Sequence, residues 1–408
     1  MQGSRISINI TELNTYILLS IYFVLSLEHE LYEFFDFGEI VPSNVLTMIE
    51  CVLLSFVILT TKERVKKHYI MYLILFFGIL TTYLFHPECN ELLKEFFFQG
   101  SSLKKIFLLP LAVQCLKEAK KFVDILYVLC VIEGYAHVAC NAIWGYSFNE
   151  WGVFNYMVYG MALITPTCIV MHRVFSKPSK FSVLTFLIFE LNIIVYGHRG
   201  ALLVTMIMII VFFLKYANIE KKLFISVTGV VALIMLIMFK EQIVSFVISL
   251  MRSFGLESRT LEKLVTGDIT NDSERNIIWS LAISGIFDNV PFGKGIGADR
   301  LWLGSRFRQA TYAHNFILEL CLDYGIVIGL IVVGWIFKLV YDCLVNIQDE
   351  DWYRLIVPFL VPSVLTLLTS ASIYQYWLFW LAMGFYYCYF GRTISGRTNG
   401  KIKIGRKR

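Results

Sequence analysis

A short polar segment just before an apolar stretch carries the residues best suited to chemistry. Residues 310–325 place His314 and Asn315 side by side and follow them with Glu319 and Asp323. Histidine titrates near neutral pH, so His314 can accept a proton from an attacking hydroxyl as a general base. A histidine that only caps a helix would explain the same pattern. The two acids are candidates to orient the imidazole, although Glu319 lies about 140° around a helix from His314.

The composition indicates that this segment belongs to a membrane protein. Of the 408 residues, 57% are hydrophobic and 16% are charged, and 34 are Phe. Soluble domains have about 25% charged residues, so these side chains cannot all be hidden in a soluble core. The first apolar stretch is expected to remain as a membrane anchor. The nine cysteines show no paired spacing, which predicts neither a disulfide framework nor a metal site.

Apolar stretches recur along the chain at the length needed to cross a bilayer. With about 20 residues per crossing, they predict an all-α polytopic membrane protein with about 12 transmembrane helices. The expected spans are 12–27, 43–61, 68–85, 103–116, 122–144, 153–173, 181–197, 200–216, 222–240, 325–344, 354–372 and 374–390.

Basic residues mark alternate connections between these spans. They include Lys62, Arg64, Lys117, Lys121, Arg173, Lys180, Lys215, Lys222 and the tail from Arg392 to Arg408. Cytoplasmic loops are enriched in Lys and Arg, so both termini are expected in the cytoplasm. The same alternation puts the long polar connection 241–324 on the outer face.

The predicted domain organisation follows from this topology. It consists of an N-terminal transmembrane bundle at 1–240, a large helical extracytoplasmic loop with the catalytic residues at 241–324, the last spans at 325–390 and a basic cytoplasmic tail at 391–408.

The outer loop is expected to fold rather than to remain disordered. Residues 241–254 are amphipathic and predict an interfacial helix. A second helix over 271–288 begins with Asn271 and Glu274 in a capping-box pattern. Glycines at 293, 295 and 297 predict a turn, and a third helix from about 313 is expected to continue into the tenth span.

Arginine is concentrated on the predicted outer face. The loop contains Arg252, Arg259, Arg275, Arg300, Arg306 and Arg308, and Arg199 lies in a tight turn between two spans. Guanidinium groups bind phosphate through a planar fork of donors, so a phosphate-bearing ligand is the natural candidate. Snorkelling or contact with lipid phosphates would explain many of these arginines equally well. Arg199 would also fit a structural turn in which it bonds neighbouring carbonyls.

Ionisable residues inside the apolar spans support a different function. Glu50, Glu133, His137 and Glu190 interrupt spans where such groups are costly unless they face the bundle interior. Acids of this kind couple ions to transport, so a flippase or transporter is an alternative. The chain shows no obvious internal repeat of the kind that many transporters have.

Several motifs taken together resemble the O-antigen ligase and polymerase family. They are Arg199–Gly200, the segment Ser273–Trp279 with Asp288–Gly297 after it, and His314–Glu319 with Asp323–Gly329 after it. Their order and spacing are those of the family, except that Val290 interrupts the Asn-Pro pair of the glycine turn.

The resemblance implies a metal-independent membrane glycosyltransferase of the GT-C type that needs no cofactor. Its substrate would be an undecaprenyl-pyrophosphate-linked oligosaccharide at the outer face of the bacterial cytoplasmic membrane. Membrane lipids would be partners, a flippase and a chain-length regulator are further candidates, and no nucleic acid is expected.

Residue roles are carried over from the motifs one position at a time. Arg199 and Arg275 would bind the donor pyrophosphate, and His314 would activate the acceptor hydroxyl. The further candidates for substrate binding are Arg300, Arg306, Arg308, Asn315 and Glu319.

The motifs do not separate polymerases from ligases, because both use the same donor chemistry. We predict a polymerase that joins repeats of O-antigen or capsular polysaccharide. The alternatives are a ligase that transfers finished glycan to lipid A core or protein, and a polysaccharide flippase.

Overall fold

Helices form all the regular secondary structure in the part of the chain that the computed structural model describes, which confirms the all-α prediction. The structure describes residues 9–34, 37–61, 69–98, 100–144, 160–196, 199–217, 275–307 and 312–398, together with 245, 248 and 249. The expected features at 222–240, Asn271, Glu274, Arg252, Arg259 and Arg308, and all of 241–254 except residues 245, 248 and 249, lie outside these residues.

The first half of the chain begins with long apolar helices and continues through a broken segment. Its α-helices are α1 Ile10–Ser26, α2 Glu28–Phe34, α3 Phe37–Ile40, α4 Ser43–Thr60, α5 Tyr69–Phe85, α6 Asn90–Leu93, α7 Gly100–Leu103, α8 Leu109–Val113, α9 Ala119–Trp144, α10 Ile164–Ser176, α11 Lys180–Tyr196 and α12 Arg199–Tyr216. A 3₁₀ turn at Pro87–Cys89 and π-helical turns at Lys94–Phe98 and Lys104–Leu108 lie between α5 and α8.

The C-terminal part alternates short and long helices. They are α13 Arg275–Phe287, α14 Ala298–Arg306, α15 Phe316–Tyr324, α16 Ile326–Asn346, α17 Glu350–Thr369 and α18 Trp377–Thr398.

Several helices are long and apolar enough to cross a membrane. Within the described residues these are α4, residues 119–143 of α9, α16 and α17. Residues 72–85 and 87–98 form a pair bent by 114°, which is either a broken span or a re-entrant loop. Two shorter apolar helices lie at Ile10–Ser26 and Gly200–Tyr216. These helices confirm a polytopic membrane protein.

The chain divides into two compact units. Unit 1 contains Met1–Ile125 and Ile278–Arg408, and unit 2 contains Leu126–Ile277. In unit 1, α18 packs against α8 and α17, and α15 packs against α16. In unit 2, α10 packs against both α11 and α12. Most of the predicted site residues belong to unit 1.

The third helix of the outer loop differs from the expectation of a continuous helix from about 313. Instead, α15 ends at Tyr324 and α16 begins at Ile326, because Gly325 has φ 83°. Residues other than glycine rarely adopt that backbone conformation. A Cβ at Gly325 would also lie 2.1 Å from the carbonyl oxygen of Pro291. The chain also forms α14, a helix that the sequence analysis did not predict.

The fourth expected span, 103–116, is broken into a π-helical turn and α8, and it carries a buried lysine. The Lys104 side chain is fully buried, pairs with Glu50 and lies 3.5 Å from Glu28. Lys105 also contacts Glu28, at 2.8 Å. Buried charges need such partners, so Glu50 has a structural explanation that requires no transported ion.

Lys104→Met should destabilise unit 1 by about 3–5 kcal/mol, because it leaves Glu50 as an uncompensated buried charge. The measurement is thermal unfolding of purified protein in detergent. Lys104→Met with Glu50→Met should recover much of the loss, since neither charge then remains. The matched control, Lys105→Met, removes a partly exposed partner of Glu28 and should cost less. Equal stability of the single and double variants would argue against the pair.

Candidate functional site

The predicted base lies where α14, α15 and the connection between α17 and α18 meet in unit 1. The connection, residues 370–376, is called the α17–α18 loop below. The loop begins at Ser370, directly after α17. The backbone N–H of Ser370 donates a hydrogen bond to the Thr366 carbonyl and ends the helix. This loop carries no predicted site residue, yet it contacts His314, Arg300 and Glu319.

His314 is held in an uncommon backbone conformation. Its φ of 51° lies in the left-handed region, which non-glycine residues adopt rarely and often at functional sites. The imidazole lies against Tyr312, with ring centroids 3.9 Å apart. Its Nδ1 lies 3.4 Å from the carbonyl oxygen of Ser370, which also accepts a hydrogen bond from the Tyr312 hydroxyl.

The Ser370 carbonyl selects the tautomer of His314. A carbonyl oxygen can only accept, so the proton of the neutral ring belongs on Nδ1. The other nitrogen, Nε2, then carries the lone pair that a general base needs. The structure therefore gives His314 the form in which it can accept a proton.

Asn315 caps α15. Its side-chain oxygen accepts hydrogen bonds from the backbone N–H groups of Ile317 at 2.9 Å and Leu318 at 3.4 Å, while Nδ2 donates to the Leu368 carbonyl at 3.2 Å. The capping role that the sequence left open for His314 is thus performed by its neighbour. This cap also ties the start of α15 to the end of α17.

Glu319 is buried and holds the α17–α18 loop. It accepts hydrogen bonds from the Ser372 hydroxyl at 2.5 Å and from the Ile373 backbone N–H at 3.0 Å. The loop in turn carries the Ser370 carbonyl that faces His314. Glu319 and His314 therefore both contact the α17–α18 loop.

Arg300 is engaged within the protein. Its side chain is 12% exposed, donates to Asp299 at 3.0 Å and to Ser372 at 3.0 Å, and lies 3.5 Å from Glu319. Its guanidinium carbon also lies 4.3 Å from the ring centroid of Phe96. Burial disfavours the charge, but the neighbouring carboxylates outweigh this effect and raise the pKa of Arg300.

Asp299 and Asp323 complete a cluster of acids near Arg300. Asp299 is fully buried, and its second oxygen accepts a hydrogen bond from the Ala313 backbone N–H at 3.1 Å. Asp323 accepts hydrogen bonds from the Tyr374 hydroxyl at 2.9 Å and from the Gly297 N–H at 3.3 Å. Asp299 thus fixes the residue next to His314.

The cluster favours retention of a proton. Burial, followed by the charge of Asp299, raises the pKa of Glu319 to about 7, although Arg300 works in the opposite direction. Burial and the charges of Asp299 and Glu319 raise the pKa of Asp323 well above its usual value. Three buried acids share one guanidinium, which explains why the pKa values of both Glu319 and Asp323 are raised.

The glycine turn connects α15 to the bend after α5. The N–H groups of Lys294 and Gly295 donate to the carbonyls of Leu322 and Asp323, and Ile296 N–H donates to the Thr82 hydroxyl at 2.9 Å. A Cβ at Gly293 would lie 2.0 Å from the Asp323 carbonyl oxygen. Close backbone approach therefore explains why the motif has glycine at 293.

Arg306 lies against Trp302, a residue that lines a cleft of about 430 Å³. Its guanidinium carbon lies 3.1 Å from the ring centroid of Trp302, and Lys294 Nζ lies 4.2 Å from the same centroid. The cleft is lined by His86, Glu88, Cys89, Asn289, Lys294, Ala298, Leu301, Trp302 and Ser305. Sequence reasoning singled out Arg306 but missed Lys294 and the cleft.

Two predicted residues belong to unit 2. Arg199 is the first residue of α12, and Arg275 is the first residue of α13 and is half-buried. Arg308 lies outside the described residues. Across the described ranges, no group of three or more His, Cys, Asp or Glu side chains is placed to hold a metal ion.

Most residues that the sequence analysis missed are distant in the chain from His314. Ser370, Ser372 and Tyr374 belong to the α17–α18 loop, and Phe96 precedes α7. Asp299 and Tyr312 are nearer, but a single Asp in the first turn of an unrecognised helix has no distinctive spacing. Their roles follow from contacts that only packing creates.

Comparison with known proteins agrees with the sequence motifs. Residues 183–334 match the family described as O-Antigen ligase. The match includes Arg199, Arg275, the glycine turn and His314, which confirms the resemblance to the O-antigen ligase and polymerase family. A comparison with curated proteins gives no match.

Glu319 should make the protein less stable as pH rises. Its pKa is raised to about 7 in the fold from an ordinary value of 4.5, so its stabilising contribution is complete below about 4.5 and lost by about 7. The loss amounts to about 3 kcal/mol at most, at about 1.36 kcal/mol per pKa unit. Thermal unfolding between pH 4.5 and 8 should therefore show a decline that Glu319→Gln reduces. The exposed Glu91→Gln is the control and should keep the wild-type slope.

Proposed function

Because the match at 183–334 identifies the chain as a member of the O-antigen ligase and polymerase family, we propose that it polymerises surface polysaccharide. In this proposal it is a glycosyltransferase that joins undecaprenyl-pyrophosphate-linked oligosaccharide repeats of O-antigen or capsule. The observation that carries the chemistry is the oriented His314, with a carbonyl at Nδ1 and an uncommon φ of 51°.

The proposed reaction is a single displacement. Nε2 of His314 takes the proton of the acceptor hydroxyl while its oxygen attacks the anomeric carbon of the donor glycan. The bond between that carbon and the pyrophosphate oxygen breaks, and undecaprenyl pyrophosphate leaves with the bonding electrons. Attack opposite the leaving group inverts the anomeric centre.

Arg199 and Arg275 are proposed to bind the donor pyrophosphate. Negative charge grows on the leaving group as the glycosidic bond breaks, and guanidinium groups stabilise such charge when they are oriented beforehand. Removal of one such donor typically costs about 2.7–4 kcal/mol of transition-state stabilisation. Arg306, Arg308 and Asn315 are proposed as supporting residues of the substrate region.

The proposed organisation follows the predicted topology. About 12 spans in a GT-C-like bundle would carry the catalytic loop 241–324 at the outer face of the bacterial cytoplasmic membrane, with both termini in the cytoplasm. The parts are the bundle 1–240, the loop, the spans 325–390 and the tail 391–408. Catalysis is proposed to need no metal and no cofactor, and a flippase and a chain-length regulator are proposed partners.

A ligase is the second candidate, because the matching family is described by ligase activity. A ligase would use the same donor, the same arginines and the same base. Its acceptor would be lipid A core or protein instead of a second lipid-linked repeat. Only the products in cells distinguish these two enzymes.

The arginine assignment predicts a large loss of activity. Arg275→Ala and Arg199→Ala should each lower transfer by about 10²–10³-fold, the effect of removing one preorganised donor. Arg→Lys should rescue poorly because a point charge lacks the planar fork. The assay measures lipid-linked glycan length with purified enzyme in excess EDTA. Lys94→Ala, an exposed lysine paired with Glu91, is the control. Full activity of Arg275→Ala would refute its role.

The base assignment predicts a specific product in cells. His314→Ala should collapse surface glycan to one repeat per anchor while repeats still reach the outer face, because polymerisation follows flipping. Gel analysis with a sidedness probe measures both features, and Lys94→Ala is again the control. Long chains stranded on undecaprenyl pyrophosphate would identify a ligase. Short repeats trapped on the cytoplasmic face would identify a flippase and reject the enzyme.

A further inference from the structure

Tyr312 and His314 meet at one carbonyl oxygen in unit 1. The two residues flank Ala313, and their ring centroids lie 3.9 Å apart, which is closer than the roughly 4.5–7 Å usual for aromatic pairs. Both polar tips reach the Ser370 carbonyl, because the Tyr312 hydroxyl donates to it and Nδ1 of His314 lies 3.4 Å from it. A carbonyl oxygen has two lone pairs, so it can accept both hydrogen bonds.

The carbonyls that these side chains reach belong to the end of α17. Ser370 directly follows the helix, and the Leu368 carbonyl accepts a hydrogen bond from Asn315 at 3.2 Å. The last carbonyls of a helix lack intrahelical partners and form the negative end of its dipole. The end of α17 therefore supplies acceptors for Tyr312, His314 and Asn315. Its negative end also favours the imidazolium that forms when His314 takes a proton.

Tyr312 is held by more than its hydroxyl. The guanidinium carbon of Arg300 lies 5.6 Å from the centroid of the tyrosine ring, within the range of about 6 Å for cation–π attraction. Arg300 is fixed in turn by Asp299 and Ser372, each at 3.0 Å. Asp299 also accepts a hydrogen bond from the backbone N–H of Ala313 at 3.1 Å. The tyrosine is therefore anchored at its hydroxyl, at its ring and through the adjacent backbone.

The hydrogen bond to the Ser370 carbonyl holds the imidazole only weakly by itself. Its 3.4 Å exceeds the usual range of about 2.7–3.2 Å for an N–H donor and an oxygen acceptor, and the outer torsion of a histidine side chain is soft. Catalytic histidines are commonly oriented by a carboxylate, but here an uncharged carbonyl faces Nδ1 of His314. A second restraint is needed, and the contact with the Tyr312 ring supplies it.

We propose that Tyr312 is a positioning residue for His314. Contact with the tyrosine ring confines the imidazole to the orientation in which Nδ1–H meets the Ser370 carbonyl and Nε2 is left as the base. The tyrosine hydroxyl bonds the same carbonyl, which fixes both rings to the end of α17. The catalytic part of this proposal rests on the proposed function, in which Nε2 takes the proton of the acceptor hydroxyl. Tyr312 is assigned no contact with the reacting atoms and acts only through the histidine.

The tautomer of His314 tests the proposal without any substrate. ¹⁵N NMR of the histidine-labelled full chain in detergent distinguishes Nδ1–H from Nε2–H. The chain has seven histidines, so subtraction of a His314→Gln spectrum isolates the signal. At about pH 8, above the ordinary titration range of histidine, wild type should show Nδ1–H. Tyr312→Leu should give a mixture of both tautomers, since the tautomer follows the hydrogen bond that the ring keeps.

Two spectroscopic outcomes would overturn the proposal. One is an Nε2–H signal for His314 in the wild type, and the other is an unchanged Nδ1–H signal in Tyr312→Leu. Tyr312→Met is a second apolar replacement that serves if the leucine variant is not monomeric and folded on size exclusion. Tyr341→Leu removes a tyrosine of α16 that is 61% exposed, and this control should give the wild-type spectrum.

The conservative variant tests the ring contact itself. Tyr312→Phe loses the hydroxyl but keeps an aromatic ring against the imidazole, so it should retain the Nδ1–H tautomer and most of the wild-type kcat. A phenylalanine variant with a spectrum as altered as that of Tyr312→Leu would overturn the role of the ring.

Transfer kinetics test the catalytic part. Tyr312→Leu should lower kcat by about 10–100-fold, the effect of misplacing a reacting group by about 1 Å. The KM should stay unchanged, because the lost interaction acts only in the transition state. A raised KM with an unchanged kcat would show a substrate contact and overturn the positioning role.

Failure of this proposal is distinguishable from failure of the proposed function. Wild-type protein that transfers glycan, with a His314 tautomer independent of Tyr312, would refute the positioning role alone. A tautomer that depends on Tyr312 in a wild-type protein without any transfer would refute the proposed function and support the positioning of the imidazole.

Discussion

The arrangement around His314 depends on the buried cluster of Asp299, Arg300, Glu319 and Asp323. A buried guanidinium is tolerated only when carboxylates and hydrogen bonds surround it, and each acid here also binds a backbone N–H of another segment. Asp299 holds Ala313, Glu319 holds Ile373 and Asp323 holds Gly297. One electrostatic cluster therefore fixes the segment before the base, the α17–α18 loop and the glycine turn together.

The surroundings of Arg300 differ from those of Lys294 and Arg306. Arg300 is enclosed by acids and by Phe96, so its charge organises the fold around His314. Lys294 and Arg306 lie against the Trp302 ring, and Lys294 lines the cleft together with Glu88. Arginines that look equivalent in the sequence thus have different electrostatic surroundings.

The charged residues within the apolar helices follow the same rule. Glu50 is paired with the fully buried Lys104. In unit 2 Glu190 accepts a hydrogen bond from the Thr205 hydroxyl at 2.8 Å, while its other carboxylate oxygen is buried and has no hydrogen-bond partner among the described residues. These acids were the main argument for a transporter. The ion pair gives Glu50 a structural role, since charge in a low-dielectric interior requires compensation. The argument for transport from Glu50 is weaker as a result, which favours the proposed glycosyltransferase.

The sequence by itself determined the features that depend on local pattern. Apolar stretches predicted the helices, the glycines at 293, 295 and 297 predicted the turn, and the ordered motifs predicted the resemblance to the family that residues 183–334 match. Tertiary structure decided the rest. Glu319 and Ile373, or Lys104 and Glu50, are more than fifty positions apart, and no periodicity pairs residues at that separation. The break at Gly325 arose in the same way, because it depends on contact with Pro291. Helical periodicity and turn preferences act between near neighbours, whereas the partner of a buried charge is set by which helices pack together.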